Sequence, residues 1–398
     1  MHRVTLVFIL FLLIPDLYIY LVYVVRKTRK AVLHCLYWLP TLLLAAGYVY
    51  FMFLTGDNAM SNHTQAIGRL AITIMLFVFP KTIFMLCSLV GVLAHFIIRR
   101  CPRSPFTAIG LVLAVVSFFN ILYGTLAGIT RFDTKEVEYR SANIPEGFDG
   151  YRIVQFSDLH LTSFRNRPEM VEKVVERIME QCPDMIVFTG DLVSTEANEL
   201  DGFDEILSRL HAPDGVYSIL GNHDYLTYAY YLSPEEQAAQ REELKERQRD
   251  MNWDLLLNEH RIIRQGRDSI ALVGVENDGK PPFPERGDLK KALAGIPGYG
   301  QGNDSTHMFK VLLSHDPTHW RRKVLPQTDI QLTLSGHTHG MQFMLFGWSP
   351  SKFFYPEWKY MYREDERGLY VSLGIGGALI PFRFGAWPEI NVITLHNK

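Results

Sequence analysis

The chain has 398 residues, with 40 Lys and Arg against 42 Asp and Glu and a hydrophobic share of 48%. Near-neutral charge gives no sign of a nucleic-acid-binding surface, so no nucleic acid is expected as a partner, and so large an apolar share argues against a disordered chain. The length calls for at least two structural units, and almost all acidic residues lie after Asp133, which separates an apolar first third from a mixed remainder.

In the first third, four stretches reach the roughly 20 apolar residues that a bilayer-spanning helix requires: about Val4 to Val25, Leu33 to Leu54, Arg69 to Ile98 and Phe106 to Thr130. The first lacks the short apolar region and small-residue cleavage site of a signal peptide, and further spans follow it. Arg26, Lys27, Arg29 and Lys30 follow the first span and Arg99, Arg100 and Arg103 the third, whereas the Gly56 to Gly68 loop is nearly uncharged. Basic loops stay cytoplasmic, so an even number of spans leaves both termini and the whole second part outside the cytoplasm; Arg131 and Lys135 weakly oppose this. Asp16 and Lys81 fall inside apolar spans, beside Pro15 and Pro80. An ionisable group there marks a proton or ion path, or else is satisfied by loosened backbone or by pairing with the other; we favour the second reading. The predicted organisation is a multi-span membrane domain over residues 1–133 and a second domain over residues 134–398.

The second part alternates short β-branched runs with amphipathic segments, as β and α elements do. Five nearly continuous apolar runs read as buried strands: Arg152 to Ser157, Met185 to Thr189, Val216 to Leu220, Lys310 to Leu313 and Ile330 to Leu334. Helices are expected at Pro168 to Gln181 and Phe203 to Leu210, and Ser233 caps a polar helix reaching Asp250, with Glu236 completing a capping box. That polar helix reads as solvated cover, and Lys280 to Pro284 as a loop.

Each of the five strands ends in metal-competent side chains: Asp158 and His160, Asp191, Asn222-His223-Asp224, His315-Asp316, and His337 with His339 in Gly-His-Thr-His-Gly. Open α/β sheets bring such strand ends to one crevice, and the glycines suit tight turns. No Cys-x-x-C pair occurs and Cys182 stands alone in this part, so a metal must use His, Asp and Asn. Imidazole and oxygen donors without thiolate suit zinc, manganese or iron. Seven or more such donors exceed the need of one tetrahedral ion, and Asp191 could bridge two; paired ions are a feature of phosphatases and nucleases.

This ordered set resembles the calcineurin-like metallophosphoesterase superfamily over roughly Arg152 to Leu395, and its apolar front end resembles transmembrane proteins carrying that domain. The resemblance implies a two-sheet β-sandwich flanked by helices. It assigns Asp158, His160 and His339 to one metal ion, Asn222, His315 and His337 to the other, and Asp191 to both. It also implies that His223 stands near the leaving group with Asp224 orienting its ring. Leu334 to Gly340, Gly374 to Gly377 and Pro388 to Ile390 are similar to the bacterial membrane-associated branch, but Met341 replaces a glycine common there.

The expected activity is metal-dependent hydrolysis of a phosphodiester, pyrophosphate or monoester at a membrane surface; the rivals are a metal- or lipid-binding scaffold without turnover and a transporter or sensor with a regulatory soluble part. Aromatic residues crowd Tyr225 to Leu232 and Phe343 to Tyr362. Because Trp and Tyr concentrate at wet interfaces, the second segment is expected to form a lip, with Trp348 and Trp358, presenting a lipid-linked phosphate; ordinary packing is the competing reading.

Overall fold

The computed structural model describes residues 2–51, 59–297, 308–377 and 380–398. Contacts divide the chain into two compact units, Met1–Ala127 with Ile380–Phe382, and Gly128–Leu379 with Arg383–Lys398.

The first unit is helical. Its helices are α1 (His2–Ile19), prolonged by a π-turn at Tyr20–Val24, α2 (Ala31–Val49), α3 (Ala59–Ile97) and α4 (Ser104–Leu126). Among the described residues three helical stretches are long and apolar enough to cross a membrane, Ala31–Val49, Ala66–Ile97 and Ser104–Thr130, and Phe8–Val24 is a shorter apolar helix. The end of the span expected to reach Leu54 lies outside the described residues. Asp16 is fully buried, with its carboxylate 2.7 Å from the Lys81 ammonium and accepting from Tyr37 and Thr41. Intramembrane charge is thus paired and hydrogen-bonded, as burial in an apolar bundle demands.

The second unit contains β1 (Asp133–Ser141), β2 (Arg152–Phe156), α5 (Pro168–Met179), β3 (Met185–Phe188), α6 (Asp204–Leu207), β4 (Val216–Ser218), α7 (Pro234–Asp250), β5 (Trp253–Leu255), β6 (Glu259–Gln265), β7 (Asp268–Gly274), β8 (Lys310–Leu313), β9 (Leu332–Ser335), β10 (Tyr360–Glu364), β11 (Arg367–Val371) and β12 (Glu389–Asn397). One six-stranded sheet runs β1-β12-β2-β3-β4-β5 and the other β10-β11-β9-β8-β7-β6. Strands β2 to β5 are mutually parallel, as are β7, β8, β9 and β11.

Alternation along the strands explains the layers. Ile153, Met185 and Val187 pack with Val311, Leu313, Leu332 and Leu334 of the opposite sheet, making the sandwich core. Their neighbours Val154, Phe156, Ile186 and Phe188 pack outward against Val171, Val174 and Ile178 of α5. On the far side of the second sheet, Ala271, Val273 and Leu312 cover Leu289, Ala292 and Trp320. Both faces of the central strands are therefore covered, which is why those strands read as unbroken apolar runs. Ser233 caps α7 and closes the capping box with Glu236, and Arg247 of that helix binds Asp204 and Asp201. The strand expected at Ile330 to Leu334 begins two residues later, at Leu332.

Candidate metal centre

The five strand ends meet. Nδ or Nε and carboxylate atoms converge in three overlapping groups, Asp158 with His160 and His339, His160 with Asp191 and His223, and Asp191 with His315 and His337, each group's donor atoms within 4.8 Å of one another. Asp158, His160, Asp191, His337 and His339 all have left-handed backbone, with φ between 43° and 73°. Non-glycine residues rarely adopt it, and such strain persists where surrounding structure over-determines it, typically at functional sites. Two glycines permit the close approach: a Cβ on Gly221 would strike the Asp191 carboxylate, and one on Gly336 would strike Ser157 and Asp158.

The Asp191 Oδ2 is 3.2 Å from His315 Nε2 and 3.6 Å from His160 Nε2. On one side, His339 Nε2 lies 3.2 Å from both Asp158 Oδ1 and His160 Nε2. On the other, His315 Nε2 faces the Asn222 Oδ1 at 3.1 Å and His337 Nδ1 at 3.3 Å. Every residue of the seven predicted ligands is thus brought to one place.

The outward nitrogens set the donor character. His315 Nδ1 is 2.7 Å from the Thr189 carbonyl oxygen, so that nitrogen carries a proton, and Nε2 faces inward, toward two acceptors, Asn222 Oδ1 and Asp191. The His337 Nε2 is 2.9 Å from the Tyr355 hydroxyl and 3.7 Å from Asp316 Oδ2, leaving Nδ1 to face inward. Acceptors gathered around a common point are satisfied only by a cation, so the donor set fits metal ions, with carbonyl and carboxylate groups behind the rings. His339 differs: its Nδ1 is 3.0 Å from Nη2 of the buried Arg383, which can only donate. The same guanidinium donates to the carbonyls of Leu373, Ala386 and Gly376, tying those three residues to the centre.

Burial alone would raise the Asp191 carboxyl, but the surrounding imidazoles of His315, His223 and His160 hold it well below the ordinary range. Asp158 is likewise held down against its burial, by His339 and His315. His315 is pushed up to about 10, Asp191 and Asp158 outweighing its burial. The clustered carboxylates therefore attract a positive charge, whether proton or metal.

Asp224 corrects the sequence reading. Its carboxylate does not hold the His223 ring; it accepts the backbone N–H groups of Asp191, Leu192, Val193 and Gly221 at 2.8 to 3.2 Å. Burial and the nearby Asp191 push it up to about 7. The His223 ring is held instead by the Ser194 carbonyl. The sequence reading placed the segments of Tyr228 and Tyr355 near the site without singling out either residue, and it missed Phe283 and Arg383. Asn222 Nδ2 donates to the Tyr228 hydroxyl at 2.9 Å, and the two aromatic segments were the signal for Tyr228 and for Tyr355; nothing near Arg383 or Phe283 signalled either. A cavity of about 420 Å³ opens on the centre, bounded by Asp191, Asn222, His223, His337, Phe283 and Tyr355 with Met341 and Phe354. Trp358, expected at an exposed lip, is 5% exposed and packs on Leu373 and Ala386.

Two mixed sheets with histidines, aspartates and an asparagine at converging strand ends define a metal-dependent phosphoesterase fold. Residues 151–341 match the family described as calcineurin-like phosphoesterase, and residues 2–129 match the one described as probable calcineurin-like phosphoesterase, transmembrane domain. The chain is 32% identical over 276 residues to the uncharacterized metallophosphoesterase YkuE of Bacillus subtilis, covering 66% of this chain and 85% of that protein. It is 30% identical over 297 residues to the transmembrane protein with metallophosphoesterase domain of Danio rerio, covering 73% of this chain and 62% of that protein. A segment of 91 residues, 22% of this chain and 27% of its counterpart, is 44% identical to the UDP-2,3-diacylglucosamine pyrophosphatase LpxG of Chlamydia trachomatis. The chain belongs to the calcineurin-like metallophosphoesterase family, with a transmembrane domain at its front.

Proposed function

We propose that the chain hydrolyses phosphoester or pyrophosphate bonds at a membrane surface with a dinuclear metal site in residues 134–398, carried by a transmembrane domain in residues 1–133. Asp158, His160 and His339 would hold one ion, Asn222, His315 and His337 the other, and Asp191 both; manganese, zinc and iron all suit these donors. The observation that carries the reading is Asp191 at the junction of the donor groups, close to both His160 and His315.

Metal ions bound there would supply Lewis acidity and a lowered water pKa. The chain's own part is positioning and proton transfer. His223 borders the cavity, and the Ser194 carbonyl holds its Nδ1 proton, so that the imidazolium form would give its Nε2 proton to the departing oxygen of a phosphoester. Phe283, Tyr355 and Phe354 give the cavity an apolar wall beside its ionic floor. That combination suits a substrate with a phosphate next to an apolar or aromatic group, and the LpxG likeness supports a lipid-linked pyrophosphate. The charge pattern of the loops supports an extracytoplasmic catalytic domain, which alkaline phosphatase fused after Lys398 would test: activity supports it, and none reverses the orientation.

Elemental analysis of the full chain, purified in detergent and loaded separately with manganese, zinc and iron, tests the site. Two ions per chain are expected, lost in Asp191→Ala and kept in His223→Ala. A wild-type chain holding no ion under any loading ends the reading.

A further inference from the structure

The segment 341–354, between the second histidine of Gly-His-Thr-His-Gly and Tyr355, carries a feature that packing does not explain. At its tip Leu345 and Trp348 exchange backbone hydrogen bonds at 2.9 and 3.0 Å, closing a two-residue turn over Phe346 and Gly347, whose φ values are 49° and 78°. Turns of that kind select Asn, Asp or Gly, because both central residues are left-handed. Here a phenylalanine occupies the first position and is 99% exposed. Both its backbone strain and its apolar surface in water are unfavourable, and a polar residue would relieve each.

The turn is braced rather than loose. The Lys359 ammonium binds the Gly347 carbonyl at 2.8 Å, Met344 N–H reaches the Phe384 carbonyl at 2.7 Å, and Ser349 Oγ donates to the Gly340 carbonyl at 2.6 Å. Phe353 follows at 77% exposure, its ring centroid 5.9 Å from that of half-exposed Trp348, and Phe354 is 65% exposed. No acidic residue falls between Met341 and Pro356, and Lys352 is the basic one. Exposed Phe and Trp with lysine and without carboxylate is the composition of an interfacial membrane contact. The occupant is close at hand, because the same chain carries membrane-spanning helices and so keeps this domain at a bilayer.

We propose that the tip of this loop, Phe346 with Trp348 and Phe353, inserts into that bilayer, so that the cavity edged by Met341 and Phe354 draws a membrane-embedded phosphoester from the lipid layer. The insertion stands on the loop's own geometry; only the choice of substrate rests on the phosphoesterase reading. Trp348 belongs to the inserted edge, and Trp358, buried behind it, does not.

The test places a nitroxide at Phe346→Cys or Phe353→Cys in the full chain, with Cys35, Cys87, Cys101 and Cys182 changed to Ser, reconstituted in phosphatidylcholine and phosphatidylglycerol vesicles. Collisions with oxygen should exceed those with a water-soluble nickel chelate at both positions, and the reverse should hold at Arg267→Cys, on the exposed turn between β6 and β7. Water-like accessibility at 346 and 353 overturns the proposal. In the native-cysteine background, Phe346→Glu should lower the rate on a vesicle-embedded lipid pyrophosphate relative to a soluble aryl phosphodiester by about tenfold, one aromatic side chain's worth of partitioning. An unchanged ratio overturns delivery from the bilayer. Failure of the phosphoesterase reading looks different: wild type inert toward both substrates while position 346 still reads lipid.

Discussion

The Nδ1 of His223 lies 2.7 Å from the carbonyl oxygen of Ser194, and the same residue's hydroxyl lies 3.3 Å from Nδ1 of His160. Ser194, three residues after Asp191, thus holds the Nδ1 proton and orientation of the ring that borders the cavity and also touches a predicted metal ligand. The anchor for His223 is backbone, so Ser194→Ala should leave it in place. We expect His223→Ala to keep bound metal and lose about 10²- to 10⁴-fold in kcat, the usual range for a positioned acid, and Ser194→Ala to lose far less. Equal losses in parallel rate and metal assays would contradict this ordering.

Asp224 serves the scaffold. Its two oxygens accept four backbone N–H groups from the loops after β3 and β4. In Asp224→Asn an amide N–H₂ must face N–H donors, leaving buried groups unpaired at about 1–3 kcal/mol each. The thermal midpoint of the full chain should fall, and metal affinity should fall with it because the Asp191 backbone is one of the four donors.

Gly221→Ala should cost both bound metal and stability. A Cβ there meets the Asp191 carboxylate and the Asp191 backbone nitrogen, so the side chain closest to both donor groups and the turn that carries it must shift. Loss of bound ions together with a lower thermal midpoint is the expected result, and full metal occupancy at an unchanged midpoint would contradict it.

Glu389 gives a pH dependence away from the metal ligands. It is buried, accepts the Leu373 N–H at 2.9 Å and leaves Oε2 without a hydrogen-bond partner. Burial raises its carboxyl from 4.5 to about 7, although the Leu373 N–H, Lys135 and Arg383 pull the other way. Between those values the folded chain keeps a proton that the unfolded chain releases, so stability falls as pH rises through the window, and the cost is complete above it. The cost is on the order of 3 kcal/mol at about 1.4 kcal/mol per pH unit. Glu389→Gln, neutral throughout, should flatten the fall in thermal midpoint between about pH 5 and about pH 8. A fall as steep as that of the wild type would refute the assignment.

The legible parts of the sequence were those where one side chain signals both element and role. The five buried strands read clearly because both faces of β2, β3, β4, β8 and β9 are covered, and their ends carried the donors, beside Gly190, Gly221 and Gly336 in three of them. Strands β6 and β10 were not legible, since the edges of a sheet alternate weakly and β6 is largely half-exposed. The partner of His223 was hidden for a different reason: a carbonyl oxygen has no residue type, so the role went to Asp224, the carboxylate that the family resemblance implied. Trp358 and Trp348 look alike as letters, and only packing against Leu373 and Ala386 separates the buried one from the exposed one.

The central claim is hydrolysis of phosphoesters by this centre, and the direct measurement is product release from bis(p-nitrophenyl) phosphate and a lipid pyrophosphate by the full chain after manganese, zinc or iron loading. The account predicts turnover of at least one substrate by wild type, abolished together with bound metal in Asp191→Ala. A wild-type chain that holds two ions and releases nothing from either substrate, nor from a monoester, would contradict it and leave a metal-binding scaffold.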